Sequence, residues 1–227
     1  MQFDPANVRL NPNMTVPTLT DGGRVLADSR DILLFAFGRT SETLGSEATR
    51  WVAAQYAFPI EELTFGWMMS WNPIVRRVVP RMLARTEARI RGLAKQHPEL
   101  TQAYERRAQV FAARRQAFDP SAVRSLFDER RADALALLDH LDSALADGRD
   151  TLVPAGYGPA DVVWTVFLAR LHWVGLEPEI ASRASLGRYC QAMFARASFD
   201  QADVWRTMKL VPMLEQALLA TGRPAGV

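Results

Sequence analysis

The chain has almost no cysteine. Cys190 is the single one in 227 residues, which excludes an internal disulfide framework and suits a reducing compartment. Histidine is nearly as scarce: His97, His140 and His172 stand at spacings that suit no metal site, and no acidic cluster completes one. No apolar run approaches the roughly 20 residues that a membrane-spanning helix needs. The first residues, Met1 to Leu10, hold no apolar core of a signal peptide, so the expected location is the cytoplasm. A phosphate loop, a GxSxG elbow and an HExxH pair are also missing, which argues against catalysis by a metal or by a Ser-His-Asp set. There is no internal repeat and no low-complexity segment.

What is present fits an ordinary globular protein: 48% of residues are apolar and the net charge is only +2. At about 150 residues per domain the length allows one domain or two. Charge is nonetheless uneven. From Arg76 to Arg131 fourteen basic side chains face six acidic ones, and Arg77, Arg81, Arg85 and Arg89 recur every four residues, which makes one stripe on a helix. Such a stripe attracts phosphates of nucleic acid or lipid, or it is the solvated face of a protruding helical hairpin. The second reading is the simpler one, and neither nucleic acid nor a membrane is expected as a partner. Val78, Val79, Met82, Leu83, Ile90 and Leu93 give the same helix a buried side.

The most informative stretch lies near the start. Asn11-Pro12-Asn13-Met14-Thr15-Val16-Pro17-Thr18-Leu19 leads through Asp21-Gly22-Gly23-Arg24 to Ala27-Asp28-Ser29-Arg30-Asp31, and reads as strand, Gly-Gly turn, strand and capped helix. A proline at the head of a strand can take a cis bond, leaving the N–H and C=O of Val16 open to an extended peptide. Asp28 suits the N-cap of a helix whose first turn holds Ser29 and Asp31. Taken singly, Pro17 also suits an edge strand and Asp28-Ser29 an ordinary cap. Their joint spacing favours a binding element.

These residues resemble the glutathione S-transferase superfamily, in which Asn-Pro, Val-Pro and an acidic-Ser pair follow one another at this spacing. The resemblance extends to about residue 205. Ala94-Lys95-Gln96-His97-Pro98-Glu99-Leu100 with Ala103-Tyr104, and Ala160 to Arg170, are similar to the tetrachlorohydroquinone reductive dehalogenases and to the ganglioside-induced differentiation-associated proteins, which share a long insertion between the fourth and fifth helices. The resemblance implies glutathione as co-substrate, held by Val16, Pro17, Asp28 and Ser29, with the γ-glutamyl carboxylate at the helix start. It implies homodimers and a detoxifying role. Met1 to Leu10 already resembles the segment just before the Asn-Pro, so the first strand, first helix and second strand have no counterpart and no residue inherits the catalytic Ser, Tyr or Cys. On that expectation the chain as written binds glutathione weakly and turns over little.

The expected fold is mostly α. A partial thioredoxin-like ββα unit over 1–40 is followed, over 46–222, by an all-helical bundle of the glutathione S-transferase C-terminal type with a long basic helical insertion. Helices are expected at about 46–58, 60–70, 73–96, 99–118, 120–146, 159–175, 183–196 and 207–220. Pro73, Pro98 and Pro120 suit helix starts, and Pro80 should bend the helix it interrupts. Gly158 suits an N-cap followed by Pro159, with Asp161 returning to the Gly158 N–H, a folding determinant rather than a catalytic group. The Leu210 to Leu219 segment has an apolar face too short to span a bilayer and suits either a cover for a pocket mouth or docking on the core.

Phe65, Trp67, Met68, Met69 and Trp71 form an aromatic and thioether cluster, either packing the helical core or a dimer seam or accepting a flat hydrophobic substrate. Trp164 and Trp173 are expected to be structural, and Cys190 to be a buried, inert thiol. Two functions remain. One is a glutathione transferase whose full-length parent, with the missing N-terminal segment supplying the group that stabilises the thiolate, conjugates or dehalogenates a hydrophobic or aromatic electrophile. The other is a non-catalytic, transferase-like binding or scaffolding module.

Overall fold

Side-chain caps and glycines set most element ends. In a computed structural model that describes residues 2–40 and 42–204, the elements in chain order are α1 (Pro5–Leu10), β1 (Leu19–Asp21), β2 (Arg24–Leu26), α2 (Ser29–Ala36), α3 (Ser46–Ala57), α4 (Ile60–Trp71), α5 (Pro73–Gln96), α6 (Thr101–Ala117), α7 (Val123–Ala144), α8 (Pro159–Trp173), α9 (Glu177–Ala181), α10 (Ala184–Phe194) and α11 (Ala197–Gln201). A 3-10 turn at Pro98–Leu100 leads into α6. The expected architecture of a ββα unit followed by helices is what the chain adopts. The helix expected at 207–220 and the segment from Leu210 to Leu219 lie outside the described residues.

The chain divides into two compact units. The first comprises Met1–Leu44 and Asn72–Val123. Its sheet has two antiparallel strands in the register Leu19 to Leu26, Thr20 to Val25 and Asp21 to Arg24. The turn between them needs two left-handed residues, and Gly22 and Gly23 supply them with φ of 51° and 84°. Buried Leu26 and Leu34 join β2 to α2. Asp4 caps α1, accepting the Ala6 N–H at 2.9 Å.

The α5–α6 hairpin belongs to this same unit. Asn72 caps α5, accepting from the N–H groups of Ile74 at 3.0 Å and Val75 at 3.1 Å, with Pro73 as first residue. The helix is assigned without a break through Pro80. Val79, Leu83, Ile90 and Ala94 are buried on α5, as are Ala103, Tyr104, Ala108 and Phe111 on α6. Arg91 bridges Glu87 at 3.2 Å and Glu105 at 2.8 Å across the hairpin. The arginine stripe, Arg77, Arg81, Arg85 and Arg89, is exposed throughout. The hairpin is locked to the chain start by the buried Tyr104 hydroxyl, which donates to the Phe3 carbonyl at 3.0 Å, and by Phe3 meeting Phe111 edge-on at 6.1 Å.

The second unit comprises Gly45–Trp71 and Arg124–Val227. Its centre is α8, apolar on nearly all sides and therefore buried. Trp164 is fully buried, donates its indole N–H to the Trp51 carbonyl at 2.9 Å and meets the Trp51 ring edge-on at 5.8 Å. Trp173 is also buried, in line with its expected structural role. The α8 helix stops two residues short of the expected 175 because Gly175 takes φ 80° and lets the Leu176 N–H return to the Leu171 carbonyl at 2.9 Å. Helix α7 begins at Val123 rather than 120, since Pro120 sits in a turn held by Asp119, which accepts the Ser121 N–H at 2.7 Å. The short helices α9 and α11 carry too little periodicity to be read from sequence.

Gly66 of α4 lies against α7. A Cβ there would stand 3.2 Å from Phe127 Cβ and 3.3 Å from its Cα. Backbone cannot yield as a side-chain tip does, so the helices would have to separate. Gly66→Val is expected to cost about 2 kcal/mol of stability, read as a lower urea midpoint with the slope unchanged.

Candidate functional site

The loop between α1 and β1 is built around Asn11, which is only 3% exposed. Its side-chain N–H groups donate to the Thr15 carbonyl at 2.9 Å, Thr15 Oγ1 at 3.1 Å and Thr18 Oγ1 at 3.0 Å, while its Oδ1 accepts the Asn13 N–H at 3.0 Å. Met14 takes a left-handed φ of 53° and buries its side chain. Between these anchors the Val16–Pro17 bond is cis. Val16 is 72% exposed, and neither its N–H nor its C=O has a partner among the described residues. Among the described residues strand β1 pairs only with β2.

The start of α2 is tied to this loop. Thr15 Oγ1, itself held by Asn11, donates to the Ala27 carbonyl at 3.0 Å, one residue before the cap. Asp28 accepts the Arg30 N–H at 2.8 Å and leads into exposed Ser29, the first helical residue. Four residues named from the sequence, Val16, Pro17, Asp28 and Ser29, thus sit on two short segments joined by one hydroxyl. Asn11 and Thr15 organise both segments and were missed by sequence reasoning. The signal was the Asn-Pro-Asn turn, since a buried amide can satisfy several backbone groups at once.

The cluster from Phe65 to Trp71 splits. Met68 and Met69 are core residues, whereas Trp67 and Trp71 line a cavity of about 360 Å³ together with Arg124, Phe127, Arg131 and Glu179. The Trp67 and Trp71 rings meet edge-on at 5.6 Å. Arg131 pairs with Glu179 at 2.6 Å and Arg124 with Asp128 at 3.3 Å. Flat aromatic walls and guanidinium groups suit an aromatic guest with polar substituents. Among the described residues, no group of three or more His, Cys, Asp and Glu is placed to hold a metal, and no helix is long and apolar enough to cross a membrane.

Comparison with known proteins covers nearly the whole chain. Residues 2–43 match the family model described as glutathione S-transferase, N-terminal domain. The chain is 31% identical over 218 residues to the tetrachloro-p-hydroquinone reductive dehalogenase of Sphingobium chlorophenolicum, covering 91% of this chain and 82% of the relative. It is 26% identical over 213 residues to the glutathione S-transferase TCHQD of Arabidopsis thaliana, covering 88% and 74% respectively. No solved structure matches significantly.

Proposed function

Because the chain belongs to the glutathione S-transferase superfamily, we propose that it binds glutathione and directs its thiol at a halogenated aromatic or otherwise hydrophobic electrophile. The observation that carries this reading is the open Val16 peptide in a loop fixed by Asn11 and tied to the start of α2. In this reading the Val16 N–H and C=O pair with the peptide backbone of glutathione. The first turn of α2, with the Ser29 hydroxyl, receives the γ-glutamyl carboxylate, where the helix dipole favours negative charge. Asp28 sets that turn by capping it.

Two outcomes of the chemistry balance. Conjugation forms a carbon–sulfur bond and expels chloride with one proton. Reductive dehalogenation replaces carbon–chlorine by carbon–hydrogen, with two thiols supplying two electrons by joining as a disulfide and chloride leaving as the acid. The curated relative named a reductive dehalogenase favours the second. The same reading makes the protein a homodimer of the cytoplasm with a detoxifying role.

Glutathione titrated to millimolar levels into the ¹⁵N-labelled chain is expected to shift the amides of Val16 and Ser29 first, a measurement that detects weak binding. Ser29→Ala is expected to weaken that binding by about tenfold, the value of one hydrogen bond to a charged group. An unperturbed Val16 amide at saturating ligand would refute the binding mode. Incubation with a chlorinated hydroquinone and glutathione then separates the chemistries, because oxidised glutathione accumulates only in the reductive route.

A further inference from the structure

Helices α8, α9 and α10 enclose a second cavity, of about 340 Å³, lined by His172, Glu177, Ile180, Ala181, Cys190 and Phe194 among others. Cys190 is 3% exposed and lines this space. Its Sγ lies 3.8 Å from His172 Nε2. The other ring nitrogen, Nδ1, lies 3.8 Å from Glu177 Oε2, and the Glu177 side chain is 69% exposed, on the solvent side of the group. The Phe194 ring meets the imidazole at 5.1 Å and 73°, which restrains the ring's rotation. Burial of the thiol was expected from sequence; the imidazole within S–H···N reach and the adjoining cavity were not. A thiol that serves only as core filler packs against apolar side chains and has no free volume beside it.

We propose that this cavity is a covalent trapping site for small carbon electrophiles, with Cys190 as nucleophile and His172 as its base. His172 Nε2 takes the thiol proton as the sulfur attacks a carbon bearing a leaving group. The carbon–sulfur bond forms, the carbon–halogen bond breaks, and halide departs with the bonding pair. The imidazolium left behind faces the Glu177 carboxylate. Ile180, Ala181, Phe194 and Ala195 line the space with apolar surface, which selects small uncharged reagents such as α-halo carbonyl compounds. The thioether is stable, so each chain reacts once and the adduct fills the cavity. No glutathione takes part, and the site is independent of the one around Val16.

Cys190 is the only thiol in the chain, so intact-mass spectrometry reads its alkylation alone. The full chain is treated with iodoacetamide near neutral pH, both native and unfolded in urea. An ordinary thiol is only a few per cent ionised there, so native alkylation is expected to run at least about tenfold faster than unfolded, the lower end of what a placed base supplies. His172→Asn is expected to abolish that advantage. A native rate equal to or below the unfolded rate overturns the proposal, a comparison that needs no variant. So does a His172→Asn chain that keeps the wild-type rate while its circular dichroism shows it folded.

Discussion

Asp161→Ala is expected to be the most destabilising single change in the chain, at about 3–5 kcal/mol, because it strands several buried donors at once. The Asp161 carboxylate is fully buried. Its Oδ1 accepts the Leu152 N–H at 2.8 Å and the Tyr189 hydroxyl at 3.0 Å, and its Oδ2 accepts the Gly158 N–H at 2.9 Å. Those partners belong to the loop before α8, to the N-cap of α8 and to α10, so one side chain closes three segments of the second unit. Burial pushes the Tyr189 phenol far up, with the Asp161 charge adding to it, so the hydroxyl stays a donor. Urea unfolding of Asp161→Ala against wild type measures the effect. A loss below about 1 kcal/mol would mean that water replaces the carboxylate and that the buried network is not closed.

The pH dependence of that network has a definite sign. Burial raises the Asp161 carboxyl above its ordinary value, and the hydrogen bonds from Leu152, Gly158 and Tyr189 oppose this without cancelling it. A group with a raised folded pKa contributes stability that is fully present below its unfolded pKa, about 4, and is lost as pH rises through the folded value. The wild-type urea midpoint is therefore expected to carry a component falling with pH from about 4 upward. Asp161→Asn is expected to lack it. A variant with the same pH slope as wild type would show that the three donors balance burial, and a wild-type midpoint rising with pH relative to the variant would show that they outweigh it.

The second large effect is expected at Asn11. Asn11→Ala removes the acceptor of the Asn13 N–H and the donor group shared by Thr15 and Thr18. About 2 kcal/mol of local stability goes with it, because the groups left behind are part-buried. The consequence for ligand is larger than for the fold. Thr15 loses the partner that orients its hydroxyl toward Ala27, and the Val16 peptide is no longer held in one geometry. An ordering cost of this size, now charged to binding, lowers glutathione affinity by about thirtyfold. Comparison with Ser29→Ala by the same titration separates the two contributions. Ser29 removes one contact, whereas Asn11 removes the preorganisation on which Val16 depends. Equal affinity in Asn11→Ala and wild type would show that glutathione binds elsewhere.

Much of the fold is legible because its causes are local. Two adjacent glycines dictate a left-handed turn, Asp28 and Asn72 carry their own cap acceptors, and Pro73 and Pro159 stand where a missing N–H costs nothing. Periodicity placed α3, α4 and α5 within a residue or so of their ends. The cluster from Phe65 to Trp71 was legible as apolar but not as to which members face a cavity. On a helix so rich in large side chains, the buried side is chosen by neighbours such as Phe127, which are remote in sequence.

By itself, then, the sequence of this protein determined where most of the long helices lie, where the sheet turns, and to which family the chain belongs. The first two depend on dihedral preferences and on hydrogen bonds within a few residues of their donors. Only the tertiary structure decided that Tyr104 reaches Phe3 across 101 positions, that Asp161 joins Leu152 to Tyr189, and that Cys190 lies beside His172. Such pairs are brought together by the packing of whole helix faces, and no spacing along the chain encodes which side chains of two distant faces will meet.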